Sequence, residues 1–388
     1  MTRSPARRIT IVTNTGWNML RFRGGLVSRL VAEGWEVTAV ADFRGGECEA
    51  VRSLGATPVR IPVDAAGADP ARDLRYLAAL LRLYRRLRPD VAHHFSIKPV
   101  VYGSLAAKWS GVPRVVASLT GLGSGYHSSR AGLSRIVKGL VRAALAGRTF
   151  AVFQNREDLE TLVAEGMVSP ARSTVVPGSG VDTDALAPDS RVAASERRAF
   201  LMVSRMLWSK GVGDFVEAAR RVRVRHPDAR FLLFGGSQED YGSKNPDFVP
   251  RAWLEALRRE GVVGWRGLAP PEEVEGAMRR CAAVVHPSYY PEGVPRSLIE
   301  AASAGAAIVT TDTPGCRDTV VPGVSGLLCP PRSPEALAEA MGRIAADRAL
   351  AERMGREGRR LAVERFDQRR VLRQLLDVYA GETEGRAA

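Results

Sequence analysis

The chain has 388 residues, 45% apolar and 25% charged, with a formal net charge of +14. That length exceeds what one hydrophobic core sustains, so two domains of an ordinary soluble globular protein are expected. No apolar run reaches the roughly 18 to 20 residues of a membrane span, and the first strand starts too near Met1 to leave room for a signal peptide. Cys48, Cys281, Cys316 and Cys329 show no CxxC spacing, and the adjacent His93 and His94 are poorly placed to share a metal. A reducing, cytoplasmic setting without a cofactor or metal is the expectation.

Strand-like and helix-like segments alternate from the N-terminus. Strands are expected at residues 9–13, 36–41, 91–95, 114–120, 149–154 and 174–177, with helical patterns at 74–87 and 99–109 between them. Residues 181–198, rich in Asp, Ala, Ser and Pro, read as a linker. The pattern then restarts with strands at 199–204, 231–234, 262–265, 282–288 and 307–311 and helices at 213–224, 334–347 and 350–365. The expected architecture is α/β, two doubly wound parallel sheets over 1–180 and 199–366 facing a cleft. A last helix at 368–379, within 367–388, is placed to cross back to the first domain.

The ends of these strands carry the chemistry. After the first, Gly16 would allow a phosphate close to the backbone, and Arg21 or Arg23 would meet a second anion; this is not a GxGxxG fingerprint. After the strand at 91–95, Lys98 precedes a helix opened by Pro99, where a cation opposes the dipole and hints at an anionic partner. His93 reads equally as a packed strand-end residue or a substrate contact. Thr120 and Gly121 begin a glycine loop. From residue 71 to 148 there are fourteen Lys or Arg against two acids, Asp73 and Asp90, a field that attracts phosphate groups. Leu133, Ile136, Val137, Leu140, Val141, Ala144 and Leu145 form an apolar stripe beside Arg135, Lys138 and Arg142. That pattern suits an anionic membrane surface or, more plainly, a sheet-packing helix with a solvated basic face. Asp182-Thr183-Asp184 matches a DxD metal motif but falls in the linker.

In the second half, Arg205 and Lys210 lie five residues apart in a strand-to-helix loop, an arrangement that suits a diphosphate. Gly236, Trp265 and Arg266 follow strands on the same side and would line a base slot or simply form turns. Residues 282–302 run strand, Gly/Pro loop, helix, with Glu292 in the loop and Glu300 inside the helix. The helix start, opened by Pro295, is a natural phosphate seat. Two carboxylates flanking it suit hydroxyls on either side of a diphosphate, as in a nucleotide-sugar.

Glu292-x7-Glu300 with Arg205 and Lys210 resembles the family 4 retaining glycosyltransferases of the GT-B fold, over essentially the whole chain. The segments at 93–99, 119–123, 152–155 and 177–182 are similar to the subgroup that extends polyprenyl-diphosphate-linked sugars, such as the diacetylbacillosamine N-acetylgalactosaminyltransferases. The resemblance implies that Arg205 and Lys210 hold the donor diphosphate and Glu300 the ribose. Glu292 with the backbone of Gly293, Val294 and Pro295 would hold the transferred sugar, and Gly16 would sit near the diphosphate. Arg21, Arg23, His93, Lys98, Thr120 and Gly121 are the acceptor-side candidates; Thr120–Gly123 stands where many members carry a cleft histidine. The expected reaction moves a hexose or N-acetylhexosamine from a UDP-sugar to a polyprenyl-diphosphate-linked saccharide. It would proceed with retention and without metal, at the inner face of the plasma membrane. A soluble or other lipid acceptor, a nucleotide-sugar epimerase and, remotely, a nucleic-acid-binding protein are the alternatives; no nucleic-acid module is present.

Overall fold

The computed structural model describes residues 6–64, 69–126, 131–192, 197–241 and 245–382. The chain divides into two compact units, Met1–Ser179 with Arg370–Ala388, and Gly180–Arg369.

The first unit is built on a seven-stranded sheet. Its strands are β1 Arg8–Thr15, β2 Glu36–Asp42, β3 Thr57–Arg60, β4 Val91–Phe95, β5 Arg114–Leu119, β6 Thr149–Phe153 and β7 Ser173–Val175. The order is β3-β2-β1-β4-β5-β6-β7 and every pairing is parallel. β4 and β6 are buried along their whole length, as strands covered on both faces by helices must be; β6 reads as a largely apolar run, whereas β4 carries the adjacent His93 and His94. Edge strand β3, with only half-buried or exposed residues, lacks that signal and is missing from the expected elements.

The second unit carries β8 Ala199–Val203, β9 Arg230–Phe234, β10 Gly264–Trp265, β11 Cys281–His286, β12 Ala307–Thr311 and β13 Gly326–Cys329. Its order is β10-β9-β8-β11-β12-β13, again parallel throughout. Each sheet thus reverses its winding beside its first strand, between β1 and β4 and between β8 and β11. Loops leaving the carboxyl ends of such a strand pair diverge and open a crevice there.

Three expectations change in detail. Residues 181–192 are not a bare linker: Val181 pairs with Asp367, Thr183 Oγ1 donates to Asp367 Oδ2 at 2.5 Å, and Leu186 is buried in the second core. The DxD stretch is therefore a structural staple, with Asp182 Oδ1 accepting from the backbone of Asp184 and Ala185. Residues 193–196 of that linker lie outside the described residues. The helix Ala131–Leu145 buries Val141, Ala144 and Leu145, while its basic face is partly neutralised. Lys138 bonds Glu165 Oε1 at 2.7 Å and Arg142 donates to the Glu165 carbonyl. The side chain of Leu133 and residues 127–130 are outside the described residues.

The final helix, Gln368–Ala380, buries Val371, Leu372, Leu375, Val378 and Tyr379 with Ile9, Ile11, Val91 and Val116 of the first sheet. Tyr379 also reaches His93 Nδ1 at 2.6 Å. Leu375→Ala is expected to lower unfolding free energy by about 2 to 5 kcal/mol in urea titrations. A loss below about 0.5 kcal/mol would show that this helix does not belong to the first core.

Candidate active site

The site is built where β8 and β11 lie side by side. The chain leaves β8 through Ser204, exposes Arg205, then turns through a 3-10 segment, Trp208–Lys210. Gly211 follows with φ +78°, and a Cβ there would lie 2.2 Å from the Pro287 carbonyl oxygen. Only glycine meets both demands, so the two loops touch backbone to backbone. Tyr289 N donates to Ser209 O at 3.0 Å and ties them again. From the other side, Asp247 O accepts from Trp208 N at 2.8 Å, and Asp247 Oδ1 from Ser209 N at 3.2 Å. The polar stretch at 236–250 therefore buttresses the cation loop through Asp247; its residues 242–244 are outside the described residues.

This contact brings Lys210 onto Glu292. Lys210 Nζ lies 2.5 Å from Glu292 Oε2, with side chains only 8% and 16% exposed. Glu292 Oε1 accepts from Ser288 Oγ at 2.7 Å and meets His286 Nε2 at 3.1 Å. Burial opposes the charge on Glu292, but the Lys210 ammonium and His286 outweigh it and hold the carboxyl well below its ordinary value of 4.5. Glu292 is thus an anion throughout the neutral range. Its contribution to stability is complete above about pH 4.5 and is lost only in strong acid. Cys316 lies close by, its thiol pushed up to about 11 by burial and by Glu292. Donor atoms of His286, Glu292 and Cys316 fall within 4.8 Å of one another, a spacing a divalent ion could bridge. Lys210 Nζ lies against Oε2 of the same carboxylate.

Glu300, buried in the helix Arg296–Ser303, is paired one turn back with Arg296, whose Nε lies 2.7 Å from Oε1. Pro295 is the extended residue before this helix (φ −64°, ψ 122°) rather than its first position. Gly293 and Val294 are buried, and the loop is pressed against Gly315, where a Cβ would come 2.1 Å from Gly293 O.

Other expected residues divide. Arg266 is exposed beside β10, and Gly236 packs against Asp240, Tyr241 and Leu268. Trp265 is buried and donates from Nε1 to Gly235 O at 2.9 Å, so it braces the loop after β9 and offers no ring to a base. In the first unit, Gly16 leaves space for Glu47, whose Oε2 would lie 2.2 Å from an added Cβ; packing already demands the glycine. Arg21 is half-buried and Arg23 is buried with its guanidinium 3.8 Å from the Phe95 ring centroid. His93 is fully buried and both ring nitrogens are engaged, by Tyr379 and by Ser118 Oγ at 2.7 Å, which removes it from substrate contact. Lys98 is bound to Asp73 Oδ1 at 2.6 Å, and Tyr102 donates to Oδ2 of the same carboxylate. An acid from the helix Pro70–Leu87, not a ligand, answers the cation at that helix start. Thr120 and Gly121 follow β5, Gly121 with φ 106°.

Sequence reasoning overlooked His286, Ser288, Arg296 and Asp247. His286 and Ser288 read only as the end of an apolar strand, and Asp247 lies in a polar stretch outside any expected element. Arg296 was legible as an i,i+4 partner of Glu300.

A model of glycosyl transferases group 1 matches residues 186–361, and one of glycosyl transferase 4-like domains matches residues 8–156. The chain belongs to these glycosyltransferases. The sucrose-phosphate synthase of Thermosynechococcus elongatus superposes with a TM-score of 0.78 at 20% identity, over 97% of this chain and 99% of that one, and the fold is GT-B. The chain is 24% identical over 387 residues to the N,N'-diacetylbacillosaminyl-diphospho-undecaprenol alpha-1,3-N-acetylgalactosaminyltransferase of Campylobacter jejuni, covering 96% of this chain and 98% of that one. It is 29% identical over 309 residues to a glycogen synthase of Mycobacterium tuberculosis, covering 78% of this chain and 71% of that one. The Anabaena HepE structure with UDP and glucose superposes with a TM-score of 0.76 at 16% identity, over 97% of this chain and 100% of that one, a likeness of fold. Among the described residues no helix is long and apolar enough to cross a membrane.

Gly211→Ala is expected to destabilise this glycosyltransferase by at least about 1 to 2 kcal/mol, the left-handed penalty alone. Chemical denaturation measures it; an unchanged midpoint would refute the close approach of the two loops.

Proposed function

We propose that the chain transfers a hexose or N-acetylhexosamine from a UDP-sugar to a polyprenyl-diphosphate-linked saccharide, with retention and without a metal ion. The observation that carries this reading is the grouping of Lys210 and Glu292, with Arg205 on the same loop as Lys210, at the point where β8 and β11 part. The bond from the anomeric carbon to the UDP phosphate oxygen breaks, and an acceptor hydroxyl attacks the same face. Its proton passes to the departing phosphate oxygen. Negative charge gathers on that oxygen in the transition state, where cations fixed in advance stabilise it most. Arg205, exposed and able to fork two oxygens, grips the diphosphate, and Lys210 adds a point charge beside it. Glu292 and the Gly293–Pro295 backbone hold the sugar, and Glu300, steadied by Arg296, takes the ribose hydroxyls. Arg21, Thr120 and Gly121 of the first unit are assigned to acceptor recognition.

The lipid-linked acceptor is supported by the likeness to the Campylobacter enzyme along nearly the whole of both chains. The basic balance of residues 71–148 suits a lipid diphosphate and an anionic inner membrane face. Incubating the protein with labelled UDP-sugars and bacterial lipid extract should put label into the organic phase. Label found only on soluble glycans would overturn the lipid acceptor; product formed from donor alone would indicate epimerisation.

The two cations differ in burial, and their variants should differ accordingly. Arg205→Ala is expected to cut turnover by about 10²-fold or more with an unchanged melting temperature. Lys210→Ala should lose turnover and also about 3 to 5 kcal/mol of stability, because Glu292 is left buried without its cation. Full turnover in both variants would refute the donor site.

A further inference from the structure

We infer that His286 is a positioning residue for the reaction, acting through Glu292; this rests on the transferase reading above. His286 ends β11, and its carbonyl accepts from Thr310 Oγ1 at 2.8 Å, so neighbouring β12 fixes the backbone from which the ring projects. The Ser288 carbonyl is fixed the same way, by Thr311 Oγ1 at 2.5 Å. Two rigidly mounted side chains therefore converge on one oxygen, Glu292 Oε1, His286 at 3.1 Å and Ser288 at 2.7 Å. Oε2 is left to Lys210 and to one further donor, since a carboxylate oxygen accepts twice.

The imidazole is only 3% exposed, and among the described residues its Nδ1 is buried without a hydrogen-bond partner. A buried ring nitrogen left unpaired is unfavourable, and an apolar side chain at this strand end would avoid it. A histidine here is explained by its other nitrogen. Protonated on Nε2, it donates to Glu292 Oε1 and turns the carboxylate so that Oε2 faces Lys210. Without it, Glu292 keeps only Ser288 on that side and can rotate, carrying Lys210 away from the position where leaving-group charge develops. The Ser288 contact alone cannot set the rotation of the carboxylate plane, whereas two donors from different directions can.

The test uses His286→Leu, which removes the donor, and His286→Gln, whose amide N–H₂ can replace it. His286→Leu should lower kcat by about 100-fold, the cost of misplacing a reacting group by about an ångström. KM for the UDP-sugar should move less than about threefold, because Arg205 still binds diphosphate. His286→Gln should recover at least about tenfold of that loss. Equal losses in both variants, or a loss that appears in KM rather than kcat, would overturn the inference. A second measurement needs no activity: ¹⁵N NMR of the imidazoles, with His286 assigned by its absence in His286→Gln. An Nε2-protonated ring whose resonances shift in Glu292→Gln is the expected result, and an Nδ1-protonated neutral ring would refute it. Absence of sugar transfer by the unaltered chain, with that NMR result intact, would instead count against the transferase reading.

Discussion

Lys210 and Glu292 join two loops although they are 82 positions apart in sequence, and the charged cluster of the second unit depends on that junction. The ion pair exists because the backbone at Gly211 can press against Pro287. A side chain at Gly211 would part the loops and strand a buried ammonium and a buried carboxylate. Neither charge is tolerable alone at such burial, so the pair has to form or the loops have to open. His286 and Ser288 complete the arrangement by giving the carboxylate one orientation.

The same site shows how a parallel sheet turns sequence distance into proximity. β8 and β11 are neighbours with residues 204–280 between them, and their carboxyl ends diverge at the winding reversal. A cation loop from one and a carboxylate loop from the other meet there without any further device. Asp247 then pins the cation loop through Trp208 and Ser209, so an apparently featureless polar stretch contributes rigidity to the charged cluster.

The first unit displays the opposite use of polar residues. His93 with Tyr379 and Ser118, and Lys98 with Asp73 and Tyr102, are satisfied within the protein. They fasten the last helix to the sheet and the segment after β4 to the helix Pro70–Leu87. Their position at a strand end made them look like ligand contacts. Burial and mutual hydrogen bonding make them fasteners, and the acceptor recognition proposed above rests on Arg21, Thr120 and Gly121 instead.

Largely apolar runs in β6, β11 and β12 and the alternation of strand-like with helical stretches made two parallel sheets legible from residues alone, because strands covered on both faces are mostly apolar. Short edge strands such as Thr57–Arg60 lack that requirement and left no mark. The spacing of Arg205 with Lys210 and of Glu292 with Glu300 pointed to the charged groups of the proposed site, because local order places each on its own loop or helix. Which charges pair, and which are spent internally, was a tertiary decision. Lys210 on Glu292 and Lys98 on Asp73 are contacts between segments that sequence spacing does not relate. Only folding sets the burial that makes each of those pairings obligatory.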